Sequence, residues 1–246
     1  MSDQHWLASF KQILPPPLAK FYLEKIKKVG NPYREYNHKY QCIFVHIPKT
    51  AGTSFGRTIF ENRDPSVSHT DCFYYRVFEP ELFKQYFKFT FVRNPWDRLV
   101  SNYTYFLRSD HVNASQPSKA TKFLTNYQDF ESFVIDLENP QMREYLFTLG
   151  HFRPQYEFIC DYKLNLLVDY LGYFETLQED FDKIVIKLNR PELELPYLNP
   201  SKKGKDYKDY YTDRTKKIVG ELYKTDIDLF GYSFEGISKR LIACSR

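Results

Sequence analysis

Apolar runs separated by amphipathic stretches predict short buried strands that alternate with helices. Residues 42–47 form a continuous apolar run, as expected of a strand buried in a parallel sheet. Phe87–Val92 alternates, with phenylalanine at every second position, and predicts a second strand, and residues 166–173 predict a third. Because helical patterns separate these runs, the sequence predicts an α/β fold with a central parallel sheet flanked by helices.

Helix signals place several of the intervening elements. Asn94 is a suitable N-cap, Pro95 suits the first helical position and Asp97 suits the first turn, so a helix should begin directly after the second strand. Further helices are expected at about 18–29, 54–60, 176–188 and 212–229, and two or three more should end by residue 149. The polar stretch 109–120 is predicted to be a mobile loop, and 189–207 an irregular linker. We interpret residues 1–39 as an N-terminal helical extension and 40–246 as a single α/β domain.

Composition narrows the class of protein. The chain has 246 residues, 42% of them hydrophobic and 27% charged, which is typical of a globular protein with an ample core. A net charge of +4 is too small to indicate nucleic-acid binding, although it suits a small polyanion held in one basic pocket. The four cysteines have no metal-binding spacing, so reduced thiols and a cytoplasmic location are expected. Neither a membrane span nor a signal-peptide pattern is expected from the sequence.

The stretch "HIPKTAGTSF", which begins at His46, joins the first strand to a helix. A tight loop of this kind presents backbone N–H groups and a helix N-terminus to an anion. Lys49 would add a point charge, and Gly52 would allow the anion to approach closely. The order differs from the G-x-x-x-x-G-K-[ST] nucleotide loop, because the lysine precedes the glycine. The plain alternative is an ordinary strand-to-helix turn with an exposed lysine. The candidate anion-binding residues of the loop are Lys49, Thr50, Ala51, Gly52, Thr53 and Ser54.

A second candidate anion site follows the second strand, in "FTFVRNPWDRLVSNY". Arg93 lies at the carboxyl end of the strand, and Ser101 lies about two turns into the next helix. Ligands of open α/β sheets bind outside the carboxyl ends of strands, so Arg93 and Lys49 should lie along one edge. An arginine fork and a serine hydroxyl suit a phosphate. Two such sites on one edge predict a ligand with anionic groups at both ends.

The segments "FVHIPKTAGTSF" and "FKFTFVRNPWDRLVSNY" together resemble the 5′-phosphosulfate loop and the 3′-phosphate motif of sulfotransferases, in particular bacterial-type members of the carbohydrate sulfotransferase branch. Later stretches, such as "HFRPQYEFI" and "LVDYLGYFETLQEDF", extend the resemblance over about residues 40 to 234. It implies a P-loop-like three-layer fold, 3′-phosphoadenosine 5′-phosphosulfate (PAPS) as donor, and 3′,5′-phosphoadenosine (PAP) as product. It also implies a hydroxyl acceptor, with a carbohydrate expected, and no metal ion.

The resemblance assigns roles to individual residues. Lys49 would stabilise charge on the bridging oxygen, while Arg93 and Ser101 would bind the 3′-phosphate. His69, which lies between the two motifs, is the preferred general base. His46 is its rival, although a histidine at the end of a strand is more often structural. His151 is assigned to structure or to acceptor binding.

Several questions stay open at this point. It is undecided whether Ser201 and Lys202 reach the 3′-phosphate or only cover the nucleotide. The lysines near residue 205 fit an acidic acceptor or, equally well, a solvated loop; they are Lys202, Lys203, Lys205 and Lys208. Two other functions compete with sulfotransfer: a P-loop kinase-like phosphotransferase, and a sulfotransferase-like binding protein without turnover. The sequence does not identify the acceptor or the oligomeric state.

Overall fold

The computed structural model describes residues 15–26, 28–60, 69–195 and 205–241. Its three main strands are β1 (Cys42–Phe44), β2 (Phe87–Val92) and β3 (Tyr170–Tyr173), and β4 (Tyr232–Ser233) and β5 (Gly236–Ile237) form a short hairpin. The helices of the first half are α1 (Pro16–Phe21), α2 (Glu35–Tyr40), α3 (Gly52–Ile59), α4 (Cys72–Phe78), α5 (Pro80–Gln85), α6 (Pro95–Phe106) and α7 (Ser109–Val112). Those of the second half are α8 (Lys119–Leu124), α9 (Phe130–Asp136), α10 (Pro140–Thr148), α11 (Tyr156–Ile159), α12 (Leu177–Lys187), α13 (Asp213–Leu222) and α14 (Lys224–Phe230).

The central sheet is parallel and has the order β1-β2-β3. The predicted bounds of β2 agree with the structure, whereas the outer strands are shorter than predicted. β1 ends at Phe44, although the Val45 N–H still donates to the Phe89 carbonyl at 3.0 Å. β3 begins at Tyr170, because Leu166 pairs instead with Cys160 in an isolated bridge. The sheet is therefore organised by its middle strand, which is buried over most of its length.

Helices cover both faces of this sheet, as the α/β prediction requires. On one face, Phe55 of α3 and Phe181 of α12 pack with Phe91 of β2, and the Phe55 and Phe91 ring centroids lie 4.3 Å apart. On the other face, the side chains of β1 and β3 pack against α4 and α11, for example Ile43 with Tyr75 in one apolar cluster. With both faces covered, the loops at the carboxyl ends of the strands are the natural place for a ligand.

Some predicted boundaries need correction. The stretch 109–120, predicted to be a loop, contains the helical turn α7 and the first residues of α8. The predicted helix 212–229 is two helices, α13 and α14. They meet at Tyr223, a buried residue whose hydroxyl donates to the Phe152 carbonyl at 2.8 Å. The predicted N-terminal helix is α1 followed by a π-helical turn, Tyr22–Ile26, and residues 1–14 of that extension lie outside the described residues.

Three of the four cysteines, Cys42, Cys72 and Cys160, are buried free thiols, and Cys244 lies outside the described residues. Among the described helices, none has the length and apolar character needed to cross a bilayer.

Candidate functional site

The loop after β1 has a strained backbone that ends at a helix N-terminus. Lys49 and Ala51 both adopt left-handed conformations, with φ of 69° and 65°, which side chains other than glycine rarely adopt. Ala51 is the N-cap of α3, so the first N–H groups of that helix have no partner within the helix. Such N–H groups and the helix dipole together favour an anion. Strain of this kind is typical of sites in which the backbone is shaped for binding.

Side chains hold the loop in this shape. The hydroxyl of Thr50, one of the candidate anion-binding residues, donates to the Ile47 carbonyl at 2.9 Å, and the residue is fully buried. The guanidinium of Arg98, also buried, donates from Nε to the Pro48 carbonyl at 3.0 Å. Any contribution of Thr50 to anion binding would therefore fall to its backbone N–H. Thr53 is exposed and Ser54 is half-buried on the first turn of α3.

Gly52 meets a packing requirement that the sequence did not reveal. A Cβ built at this position would lie 1.9 Å from Cδ2 of His46, well inside van der Waals contact. Glycine is thus needed here so that the His46 ring can lie against the start of α3. This close packing makes His46 a support of the loop.

Lys49 points from the loop towards α6. Its Nζ lies 4.0 Å from the centroid of the Tyr105 ring, in cation–π distance. Burial, together with the positive charges of Arg93 and Arg108, lowers the pKa of Lys49 to about 8. The ammonium is therefore mostly protonated at pH 7 but is close to titrating. An anion bound beside it would raise its pKa again.

Arg93 lies beside Lys49, on the predicted edge of the sheet. Its guanidinium donates from Nε and Nη2 to the two carboxylate oxygens of Asp97, at 2.7 and 2.8 Å, and from Nη1 to the Lys49 carbonyl at 3.1 Å. It also stacks over the Phe174 ring at 4.0 Å. These hydrogen bonds use three of the five guanidinium N–H groups, so two more are available in the described structure for an anion. The fork is held in place before any ligand arrives.

Ser101 lies on α6 between Asp97, which binds Arg93, and Tyr105, which contacts Lys49. Asp97, Ser101 and Tyr105 are four residues apart, so they share one face of the helix. Arg93 is bound at the Asp97 end, and the Lys49 ammonium lies on Tyr105 at the other end. Ser101 therefore lies between them, and its Oγ makes no hydrogen bond to any residue that the structure describes. The α6 face brings the three residues predicted to bind anions into one strip.

His69 packs against His46 close to this strip. The ring centroids are 4.5 Å apart, and Nδ1 of His69 lies 3.1 Å from the His46 carbonyl oxygen. A carbonyl can only accept, so Nδ1 carries the proton and Nε2 has the free lone pair. The residue as a whole is exposed, but desolvation of the packed ring lowers the pKa of His69, against the opposing effect of this hydrogen bond. At pH 7 its neutral form, which is able to accept a proton, dominates.

His151 links the histidines to the Lys49 side of the site. Its ring lies 4.9 Å from the His69 ring and 6.1 Å from the Tyr105 ring, nearly parallel to the latter. Burial is the main cause that lowers the pKa of His151 to about 3, and the neighbouring His69 and cationic side chains lower it further. This imidazole is therefore neutral at physiological pH, and its buried Nδ1 has no partner in the described part of the chain.

The structure also identifies supporting residues that the sequence did not. Arg93 and Asp97 are four residues apart, a spacing visible in the sequence, although Arg93 precedes the N-cap Asn94 and so lies just outside α6. Gln155 and Glu175 are different. Gln155 forms hydrogen bonds to the Arg93 backbone, 62 residues away in sequence, and Glu175 accepts from the Asn94 N–H, 81 residues away. No local sequence pattern predicts a contact between residues so far apart.

Other sequence predictions lie at the margin of this site or beyond it. Ser201, Lys202 and Lys203 lie outside the described residues. Lys208, proposed for an acidic acceptor, is paired with Glu235 at 2.5 Å on the surface. Within residues 15–26, 28–60, 69–195 and 205–241, no group of three or more His, Cys, Asp or Glu side chains is arranged to hold a metal ion. The absence of a metal requirement stays a prediction.

The arrangement described above brings two cationic side chains and a helix N-terminus together, as the binding of an anionic ligand requires. The chain matches the model of the sulfotransferase family over residues 35–233, so it belongs to that family. The family match begins within α2 and extends to the end of β4, and it therefore includes every residue of the candidate site.

Individual relatives add a narrower comparison. The chain is 25% identical to carbohydrate sulfotransferase 11 of Rattus norvegicus over 237 residues, which cover 79% of this chain and 65% of that protein. It is 23% identical to carbohydrate sulfotransferase 14 of Danio rerio over 235 residues, 80% of this chain and 61% of the relative. An uncharacterised protein of Archaeoglobus fulgidus is 31% identical over 115 residues, 46% of this chain and 75% of that protein. The chain thus spans less than two thirds of the length of the two named sulfotransferases. No solved structure matches it significantly, so the P-loop-like character of the fold stays a prediction.

Proposed function

We propose that this protein transfers a sulfuryl group from PAPS to a hydroxyl group of a carbohydrate. The observation that carries the proposal is the strip on α6, where the Arg93 guanidinium is bound at the Asp97 end, the Lys49 ammonium lies on Tyr105 at the other end, and Ser101 lies between them. A donor with anionic groups at both ends fits two cationic centres separated along one helix face. The carbohydrate acceptor is supported by the two relatives that are named carbohydrate sulfotransferases.

The proposed reaction is an in-line displacement at sulfur. The acceptor oxygen forms a bond to sulfur while the bond from sulfur to the bridging oxygen of the 5′-phosphate breaks. The acceptor proton passes to Nε2 of His69, and the electron pair stays on the phosphate oxygen, beside the ammonium of Lys49. PAP and a sulfate ester are the products. A sulfuryl group carries less charge than a terminal phosphoryl group, so the lysine and the N–H groups of α3 would suffice without a metal ion.

A cytoplasmic location is part of the same proposal. It rests on the cysteines, of which three are buried free thiols.

The assignment of Arg93 and Ser101 to the 3′-phosphate leads to a binding prediction. PAP should bind at least about tenfold more tightly than AMP, which lacks that group, because a charge-assisted hydrogen bond contributes about 1.5–3 kcal/mol. Isothermal titration calorimetry with both nucleotides measures the difference. Ser101→Ala should reduce the preference, whereas Thr104→Ala, an exposed position of the same helix, should not. Equal affinity for PAP and AMP would contradict the two-site donor model.

The pKa of Lys49 leads to a second prediction, on proton linkage. The free protein releases the Lys49 proton as pH rises through about 8, whereas a bound polyanion would hold that proton to higher pH. PAP affinity should therefore decrease above pH 8, and binding at pH 8.5 should take up as much as about three quarters of a proton, the fraction of Lys49 that is deprotonated in the free protein at that pH. At pH 7, where Lys49 is already protonated, uptake should be small.

Calorimetry in two buffers that differ in ionisation enthalpy measures this uptake. The matched control is Lys49→Ala, which should bind PAP without proton uptake at pH 8.5. Identical binding enthalpies of the unmodified protein in the two buffers at pH 8.5 would show that Lys49 does not sense the ligand.

A further inference from the structure

Gln155 makes an unusual pair of contacts with the turn between β2 and α6. Its carboxamide oxygen accepts from the Arg93 backbone N–H at 2.9 Å, and its Nε2 donates to the Arg93 carbonyl at 2.8 Å. The side chain is fully buried. The two bonds reproduce the exchange that a neighbouring strand would make with a residue of a sheet. Arg93 needs such a substitute because the paired part of β2 ends one residue earlier, where Val92 pairs with Tyr173.

The backbone of Gln155 is itself held in place by a buried carboxylate. The carboxylate of Asp226, which is fully buried, accepts from the backbone N–H groups of Gln155 and Tyr156 at 2.8 and 2.9 Å. Asp226 belongs to α14 and lies 71 residues after Gln155 in sequence. Hydrogen bonds therefore connect α14, the start of α11 and the β2–α6 turn. Gln155 therefore cannot shift without breaking buried contacts at both of its ends.

We propose that Gln155 is a positioning residue of the donor site, which fixes the backbone of Arg93 and thereby the place where the guanidinium meets the 3′-phosphate. The inference rests on the proposed function, since it assumes that Arg93 binds that phosphate. The physical reason is that two bonds to one residue fix its φ and ψ and hence the direction of its Cα–Cβ bond. The side chain then needs only the Asp97 carboxylate and the Phe174 ring to hold its fork in place.

The substitution Gln155→Glu tests the positioning role, because glutamate has almost the same shape as glutamine. The carboxylate keeps an acceptor for the Arg93 N–H but places a second oxygen against the Arg93 carbonyl, where Nε2 used to donate. Protonation of the introduced carboxyl restores a donor at that position, so the defect should be reversible at low pH. We expect the preference for PAP over AMP to fall about tenfold at pH 8 and to return to within about threefold of the unmodified protein at pH 5.5. Each variant is compared with the unmodified protein at the same pH, which cancels the titration of the nucleotide phosphates and that of Asp226, which faces Gln155 and whose pKa burial raises to about 6.

Three further variants make the outcome decisive. Gln155→Met keeps the volume but loses both bonds, so its loss of preference should not recover at low pH. Gln141→Glu makes the same chemical change at an exposed position of α10 and should behave as the unmodified protein. Arg93→Ala should lose the preference for PAP over AMP completely.

The results separate the inference from the proposed function. If Arg93→Ala loses the preference while both Gln155 variants, folded by circular dichroism, keep it within about twofold at pH 8, the positioning role is wrong and the donor assignment stands. If Arg93→Ala keeps the preference, the donor assignment itself is wrong. A general loss of stability in the Gln155 variants, with the ratio of the two affinities unchanged, also overturns the positioning role, because a merely structural residue would not alter that ratio.

Discussion

Lys49→Ala is expected to lower the turnover rate about 10²–10³-fold at saturating donor, while the affinity for PAP changes far less. The range is that found when one preorganised donor to a developing negative charge is removed. Lys49 would act mainly as charge grows on the bridging oxygen, whereas the first N–H groups of α3, which have no partner within the helix, remain to bind the ground state. Single-turnover rates and calorimetry, measured on the same preparation, separate the two effects.

The control for this prediction is Lys187→Ala, which removes an exposed lysine at the end of α12. It should leave both rate and affinity unchanged. A Lys49→Ala protein whose turnover stays within a few-fold of the unmodified protein would remove Lys49 from the catalytic step and restrict it to binding.

His69→Ala is expected to lower turnover about 10²–10⁴-fold and to leave PAP affinity nearly unchanged, as for the loss of a general base. The hydrogen bond from Nδ1 to the His46 carbonyl leaves Nε2 as the group that accepts a proton. Since the pKa of His69 is lowered, its neutral form should persist below pH 6.5. The rate should therefore stay high to a lower pH than an unperturbed histidine would allow. A pH–rate profile at saturating donor tests this.

Two histidine variants distinguish catalysis from support. His46→Ala removes a ring that is packed on Gly52, so it should lower the melting temperature and reduce binding and rate together. His38→Ala, at an exposed position of α2 whose Nδ1 lies 3.0 Å from the Tyr86 hydroxyl, should leave donor binding and rate unchanged, whatever its effect on the melting temperature. If His69→Ala turns over within a few-fold of the unmodified protein, the base must be His46 or a carboxylate.

Local patterns were sufficient for the elements that carry the site. The alternation of Phe87–Val92 predicted β2 with its observed bounds. Asn94 is the predicted N-cap of α6, with its side chain accepting from the Trp96 N–H at 3.0 Å. Both signals act between residues that are neighbours in sequence, because side-chain alternation and helix capping depend on only a few consecutive residues. The polar stretch 109–120 misled for the related reason that a short helix such as α7 lacks a long apolar period.

The position of Lys49 and Arg93 at one edge of the sheet could also be predicted from the sequence. Parallel strands place their carboxyl ends together, so two strands in the right order bring the following residues to one edge. The resemblance to sulfotransferases supplied the rest of the prediction, and the family match includes both motifs. The role of each residue in the reaction stays a prediction.

Only the tertiary structure decided what holds these residues in place. Gln155 clamps the Arg93 backbone, and Glu175 accepts from the Asn94 N–H at 2.7 Å. Gly52 is required by the His46 ring, where the sequence suggested an approaching anion. The sequence alone therefore determined the three main strands in their order along the chain and the chemical groups at the ends of the first two. The folded chain decided which of these groups touch, because a hydrogen bond between residues 62 or 81 positions apart leaves no periodic trace along the chain.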